Sequence, residues 1–567
     1  MVNKLKVACL QIRAREYKDR DKNKENILKM VDKAAKLQPQ LMVLPECAYP
    51  AYYLSPLIVK RPDEFYQSTL DLIAEIKERA KKYKCYIALG IAEHDLSKKT
   101  LYNSALLIDP NGEQIGSVRK SHLWHFESYW FSTSTDDQYP VFETEFGKVG
   151  IFICADVWLP EIVRCLSLKG ADILIDLINW PTSGFDKKSL ADQQVDIEYI
   201  LPTRALENRV WIIAANKVGM EAKNITNCGK SGIFTPDGKV AKIASSWQEE
   251  ILVYEIPLKK SIDKSVDNQI NLIKDRKPEL YSELVQPTNV LPIYSIMKEN
   301  LHPQTSTPLT GVVQLQIENN LEKYLQKIEF FINILLGKDA NIIIFPENEF
   351  IFPGKGEEII HKVKQITKNS IVICAITIVE KVEQSFYKTT FLINSGNILG
   401  KYRKTHLEKD EKSILTPGDL GLPVFKTPYG YIGIMIGYEG LLPEISRILT
   451  LKGADMIIWP SKFTNDKQIN ICRTRSVENN IFVACSNSIY SLGSGHSLIT
   501  SPSGKILTSC LGKTEQASFS PLFFQLSRNK MLSPHNNTIL NRQPESYGIL
   551  VNNILKKGNK IESATNC

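Results

Sequence analysis

The stretch VGIFICADVWLPEIVRCLSLKGADILI (149–175) returns as IGIMIGYEGLLPEISRILTLKGADMII (432–458). Each begins with a continuous apolar run, the pattern of a strand covered on both faces. In the first, LPEIVRCLSLKG follows with the spacing of an amphipathic helix, and Gly170 is a natural stop. The segment reads strand, turn, helix, and it occurs twice. At the end of the strand the copies part: the first has Cys154, the second Gly437.

Other pairs lie on either side, in the same order. LMVLPECAY (41–49) matches IIIFPENEF (342–350), and GSVRKSHL (116–123) matches GKYRKTHL (400–407). PTRALENRVWIIAAN (202–216) matches RTRSVENNIFVACSN (473–487), and GKSGIFTPDGKV (229–240) matches GHSLITSPSGKI (495–506). DRKPELY (275–281) has its counterpart in NRQPESY (541–547). Units this long are domains, so the pattern is a tandem duplication and not a solenoid. Within the first copy, LKVACLQI, LMVL and IALGIAE read as strands, and KENILKMVDKAAKL as a helix with Ile27, Leu28, Val31, Ala34 and Ala35 on one face. LYNSALLIDPNGEQIGSVRK reads as a hairpin turning at Asp-Pro-Asn-Gly. The expectation is α/β with mixed sheets. The copies are placed at 1–285 and 309–550, with a proline-bearing linker at 286–308 and a polar tail at 551–567.

The composition narrows the function. A chain of 567 residues exceeds one hydrophobic core. Its 43% hydrophobic and 23% charged content is that of a globular protein. The net charge of +8 is spread along the chain without a basic stripe, which argues against nucleic acid. No apolar run is long enough for a membrane span, and the N-terminus turns polar at Arg13, too early for a signal-peptide core, so the expected location is the cytoplasm. The 11 cysteines form no Cys-x-x-Cys pair, so neither a disulfide framework nor a zinc site is expected.

In the first copy, Glu46, Lys120 and Cys154 each follow an apolar strand. In open α/β sheets, sites gather at strand carboxyl ends. A thiol with a pKa of roughly 8.5 needs help to ionise at neutral pH. A carboxylate can take its proton, and an ammonium can steady the thiolate and a later oxyanion. Each residue alone has a plain structural reading: a buried thiol as packing, a lone Glu or Lys as a solvated charge. Cys47 reads as packing. His122 and His125 invite a metal, but no acidic or cysteine partner stands at ligand spacing.

LPE (44–46), RKSHL (119–123) and CADVWLPE (154–161), with ALENRV and GKSGIFTPDGKV, resemble the carbon–nitrogen hydrolase (nitrilase) superfamily over about 5–285, and again over about 311–548. The resemblance implies two tandem four-layer α-β-β-α sandwiches. It implies a Glu46-Lys120-Cys154 triad, with Glu127 of ESYWF as a second glutamate and the Ala155 N–H in the oxyanion hole. Trp180 and Tyr52 are candidate pocket residues, with Tyr53 and Trp130 near them. Neither metal nor organic cofactor is implied. The expected activity is hydrolysis of a non-peptide C–N bond in a small amide or N-carbamoyl compound, through a Cys thioester and with release of ammonia. Three alternatives stay open: a nitrilase, a thioester-dependent acyltransferase, and a non-catalytic binding or scaffold protein. Nitrile-cleaving members typically carry Trp-Glu after the cysteine, where this chain has Ala155 and Asp156. The second copy keeps Glu347, Lys404 and Glu411 but not the thiol. It is expected to serve as a structural pseudo-subunit in an internal pseudo-dimer, open to further homo-oligomerisation. The rival expectation is that it binds a regulator in its vacated pocket.

Overall fold

The computed structural model describes residues 4–54, 63–134, 139–182, 196–223, 225–258, 263–299, 307–316, 318–347, 354–490 and 493–552. The chain forms two units. One is Met1–Lys264 with Lys530–Asn541; the other is Ser265–Asn529 with Arg542–Cys567. The repeat places DRKPELY in the first copy, yet this segment packs with the second unit. The stretch Lys530–Asn541, from the end of the second copy, packs with the first.

The first unit holds two six-stranded sheets. One runs Glu250–Pro257, Lys4–Gln11, Leu41–Val43, Tyr86–Asp95, Thr100–Ile108, Gln114–Arg119. Its middle strands are parallel and its flanks antiparallel. The other runs Val240–Ile243, Gly232–Phe234, Trp211–Ala215, Ile173–Leu177, Gly147–Ile153, Val141–Thr144. Its three central strands are parallel, and the first two of these, like Leu41–Val43, are buried along their whole length. This is why they read as apolar runs, broken at a single position, Asp176 of Ile173–Leu177. Strand Lys4–Gln11 packs on Trp211–Ala215, and Thr100–Ile108 on Gly147–Ile153, so the sheets lie face to face.

Helices Arg20–Ala35 and Asp63–Tyr83 cover the first sheet. Ile27, Val31, Leu72 and Ile76 meet Met42, Ile87 and Leu89 in one apolar cluster. Helices Pro160–Leu168 and Ile197–Asn208 pack against the second sheet. The result is an α-β-β-α sandwich. The second unit repeats it, with sheets Asn397–Arg403, Ser385–Asn394, Ile373–Val382, Ile342–Ile344, Leu309–Gln314, Gln516–Pro521 and Val424–Lys426, Tyr431–Ile434, Met456–Ser461, Phe482–Asn487, Leu498–Thr500, Ile506–Ser509.

The strand that delivers the lysine is set by a close approach. A Cβ on Gly116 would fall 2.1 Å from the Phe142 ring, and one on Gly400 would fall 2.4 Å from Phe425. Glycine at this position lets an aromatic side chain sit flat against the strand leading to Lys120 or Lys404. The expected linker begins as a short 3-10 turn, Thr288–Val290, and a helix, Pro292–Glu299; positions 300–306 lie outside the described residues.

Candidate active site

In the first unit three strand ends converge. Glu46 follows Leu41–Val43, Lys120 follows Gln114–Arg119, and Cys154 follows Gly147–Ile153. Lys120 Nζ donates to Glu46 Oε1 at 2.6 Å and to Glu127 Oε1 at 2.8 Å. All three side chains are fully buried. The second oxygen of Glu46, Oε2, has no hydrogen-bond partner. A buried carboxylate oxygen left unpaired is costly, and it is an acceptor held ready for an incoming proton.

Cys154 sits where the strand turns into the 3-10 segment Cys154–Trp158, at φ 49°. That left-handed conformation costs a non-glycine residue about 1–2 kcal/mol. The turn is over-determined. Cys154 N–H donates to Asp176 Oδ1 at 2.8 Å. Asp156 accepts from Ile153 N–H (3.1 Å), Ser121 N–H (3.2 Å) and His122 N–H (2.9 Å). One carboxylate therefore ties the Cys154 turn to the lysine loop. Cys154 keeps 7% exposure, while the acid and base groups around it have none.

The electrostatics suit a resting thiol beside a proton store. Burial raises the Cys154 pKa well above its ordinary value; Glu46 adds to the rise and Lys120 opposes it. Burial also works against the Lys120 ammonium, but Glu127 and Glu46 more than offset it and hold the lysine charged. Burial lifts Glu127 to about 7, against the pull of Lys120. With Glu127 protonated, the cluster of Glu46, Lys120 and Glu127 is neutral. With it ionised, the cluster carries one negative charge, which opposes a thiolate.

Tyr52 is buried and hydrogen-bonded to Glu127. Tyr53, Phe126 and Trp130 pack edge-on around it in an aromatic cluster. Trp180 is half-buried and lies 5.3 Å from Trp158, which stacks on Trp124 at 5.9 Å. Ala155 and Trp158 line a small cleft with His122, Trp124 and residues of 532–541. His122 bonds to Asp156 and to the Asn541 carbonyl oxygen, so its ring is a structural link.

Sequence reasoning missed several neighbours. Asn103 donates to Glu46 Oε1 at 2.6 Å, Trp124 N–H donates to Glu127 Oε2 at 2.9 Å, and Asp176 holds the Cys154 turn. Asn179, fully buried, has neither amide atom hydrogen-bonded. A signal was available. At these places the second copy carries Lys388, Glu408, Trp459 and Lys462, a cluster of polar and charge changes inside otherwise matching motifs.

Those changes refill the second unit's site. Lys388 bonds to Glu347 at 2.5 Å and also to Glu411. Lys404 bonds to Glu408 (2.6 Å) and Glu411 (2.8 Å), and Lys462 to Glu408 at 3.1 Å. Lys404 itself is 3.8 Å from Glu347. Among the described residues, Glu347, Glu408 and Glu411 are the one group whose oxygens converge as metal ligands could. Three ammonium groups already neutralise them. A Cβ on Gly437 would lie 2.8 Å from Glu347 Oε2 and 2.9 Å from Lys404 Nζ.

The family model for carbon-nitrogen hydrolase matches residues 6–263 and 309–520. A nitrilase of Pyrococcus abyssi (strain GE5 / Orsay) is 33% identical over 282 residues, spanning 49% of this chain and 99% of that protein. An N-carbamoylputrescine amidase of Oryza sativa subsp. japonica is 29% identical over 226 residues, 38% of this chain and 72% of that protein. Among solved structures, a carbon-nitrogen hydrolase from Helicobacter pylori G27 is similar at 25% identity with a TM-score of 0.45, covering 50% of this chain and 99% of that one. Among the described residues, no helix is long and apolar enough to cross a membrane.

Proposed function

The chain belongs to the carbon-nitrogen hydrolase family, and from that premise we propose that its first unit hydrolyses a small amide or N-carbamoyl compound through a thioester on Cys154. The observation that carries the reading is the unpaired Glu46 Oε2 in a fully buried cluster with Lys120, beside a thiol.

Cys154 Sγ attacks the carbonyl carbon, and its proton passes to Glu46 Oε2. The carbonyl oxygen becomes an oxyanion, met by the Lys120 ammonium and the Ala155 N–H. Glu46 returns the proton to the leaving nitrogen as the C–N bond breaks, and ammonia or an amine departs. Water then attacks the thioester, giving its proton to Glu46, and the acid is released as the thiol re-forms. Protonated Glu127 keeps the cluster neutral while negative charge develops on sulfur and oxygen. Tyr52 steadies Glu127, and Trp180 forms one wall of the acyl pocket. The second unit, with glycine at the nucleophile position, acts as a structural partner.

Ammonia release from a panel of amides and N-carbamoyl amines tests this, with mass spectrometry of a trapped Cys154 adduct naming the acyl group. Turnover that survives Cys154→Ala would exclude the covalent route. A nitrile is the second reading, favoured by the 33% identity to the Pyrococcus protein named a nitrilase. Nitriles in the same panel decide between the two.

A further inference from the structure

The stretch Lys530–Asn541 is part of the first unit, although it follows the second copy in sequence. Its strands Met531–Ser533 and Asn536–Asn537 form a small hairpin. From that hairpin the Asn536 side chain, 6% exposed, uses both ends of its amide. Its Oδ1 accepts from His125 N–H at 2.5 Å, and its Nδ2 donates to the Leu123 carbonyl at 2.5 Å. Ser533 Oγ donates to the same Oδ1 at 2.7 Å and so fixes the amide's orientation.

Leu123 and His125 flank Trp124. The N–H of Trp124 is the group that holds Glu127 Oε2. His125 is at φ 48°, a left-handed conformation that persists only where its surroundings hold it. The Asn541 carbonyl on His122 Nε2, at 2.7 Å, anchors the start of the same loop. The second unit fastens the matching loop differently. There Lys409 N–H donates to the backbone carbonyl of Gln269 at 2.8 Å, and the Gln269 amide donates to the Asp410 side chain at 2.8 Å instead of bridging the loop's backbone.

We propose that Asn536 is a positioning residue for the first unit's site: by bridging the backbone on both sides of Trp124, it fixes the N–H that holds Glu127 against Lys120. The inference rests on the reading of Lys120 and Glu127 as part of the catalytic machinery. It gives the C-terminal end of the second copy a task in the first site that does not require a nucleophile of its own.

The test uses the full-length chain and needs no substrate. The rate of Cys154 alkylation by iodoacetamide is followed against pH by peptide mass spectrometry. The groups that set this profile are Glu46, Lys120, Glu127, Asp176 and Tyr52, which all surround the thiol or its partners. Asn536→Ala is expected to change the rate at pH 7 at least fivefold and to displace the inflection near neutrality, with an unchanged unfolding midpoint. Asn536→Asp keeps the acceptor for His125 but not the donor to Leu123, and is expected to fall between. Leu540→Ala, at a neighbouring side chain 52% exposed, is expected to match the parent. A folded Asn536→Ala protein with the parent's profile overturns the proposal, as does an equal change in Leu540→Ala. If Asn536→Ala does not fold, a parent-like profile in Asn536→Asp overturns it. A chain that turns over no amide or nitrile would defeat the functional reading while leaving this measurement intact.

Discussion

The two units place the same backbone turn at the same strand end, and fill the space in front of it differently. In the first, one ammonium serves two carboxylates and a thiol sits at the edge of solvent; Glu46 Oε2 is unpaired there, as its counterpart Glu347 Oε2 is in the second. In the second, three ammonium groups serve three carboxylates, and no thiol is present. The proton inventory separates them. Glu127 is lifted to about 7 by burial, so it can hold or lose a proton near neutrality. Burial would lift Glu411 too, but Lys404, Lys388 and Lys462 together hold it well below the usual carboxylate range. A cluster locked in its charged form can hold a fold together but has no proton to move. The turn itself also differs in strain. Cys154 at φ 49° occupies a conformation that glycine adopts freely, and Gly437 is at φ 56°. A glycine at that turn carries none of this strain.

The comparison breaks most sharply at Cys154, the proposed nucleophile. Cys154→Gly, which makes the first turn like the second, is expected to abolish ammonia release entirely. The reverse change, Gly437→Cys, is expected to add no turnover to the Cys154→Gly protein, because the space its Cβ needs is held by Glu347 and Lys404. Activity assays on both proteins, with intact-mass labelling by a substrate-like acylating agent, check this. Any acyl adduct on the second turn would show that glycine alone separates the units.

A smaller effect is expected from importing one cation. Asn103→Lys reproduces Lys388 in the first site, where it would pair with Glu46 as Lys388 pairs with Glu347. A base pinned to a second ammonium is a poor proton acceptor. Since general-base catalysis supplies roughly 10²–10⁴-fold, kcat/KM is expected to fall at least about 100-fold, with a modest change in KM. In the other direction, Lys388→Met leaves three buried carboxylates facing two ammonium groups. Breaking a buried ion pair by removing one partner costs about 3–5 kcal/mol. Denaturant unfolding is expected to show that loss, with the activity of the first unit retained in the folded protein.

Some of this arrangement is open to a reader of the sequence. Glu46 and Cys154 each end a buried strand, and buried strands announce themselves as apolar runs, while Lys120 ends a more exposed hairpin strand marked by its Asp-Pro-Asn-Gly turn, so the strand ends are easy to place. The repeat reveals the doubled fold for the same reason. What stays hidden depends on register and on packing over long separations. Asn103 meets Glu46 only because the Thr100–Ile108 strand pairs with Tyr86–Asp95 in one register. Asn536 meets the loop 121–127 across more than four hundred positions of chain, and no local pattern encodes that contact. The repeat assigns 275–281 to the first copy by descent, while packing joins it to the second unit, since sequence order does not say which core a segment will complete. Comparing the copies recovers part of what one copy hides: where motifs match but charge does not, the site has been rebuilt.

The subtlest expected difference is a pH dependence that only the first unit carries. In the folded chain Glu127 titrates near 7, whereas an unperturbed glutamate does so at 4.5. Between those values the folded protein binds a proton that the unfolded chain has released, so stability declines as pH rises through the window and levels off above it. Below 4.5 both states are protonated and the contribution is fully present. Glu127→Gln fixes the side chain in a neutral form that still offers Lys120 an oxygen, so it is expected to lack this slope. Its unfolding midpoint should match the parent at pH 5 and exceed it by a few degrees at pH 8. Catalysis follows the same charge. Above pH 7 the parent's ionised Glu127 leaves the cluster with an extra negative charge beside the developing thiolate, so kcat/KM is expected to fall there, and the glutamine variant to show no such limb. A variant with the parent's slope and the parent's limb would mean that the proton is stored elsewhere, and that the contrast between a titrating cluster and a locked one is drawn at the wrong residue.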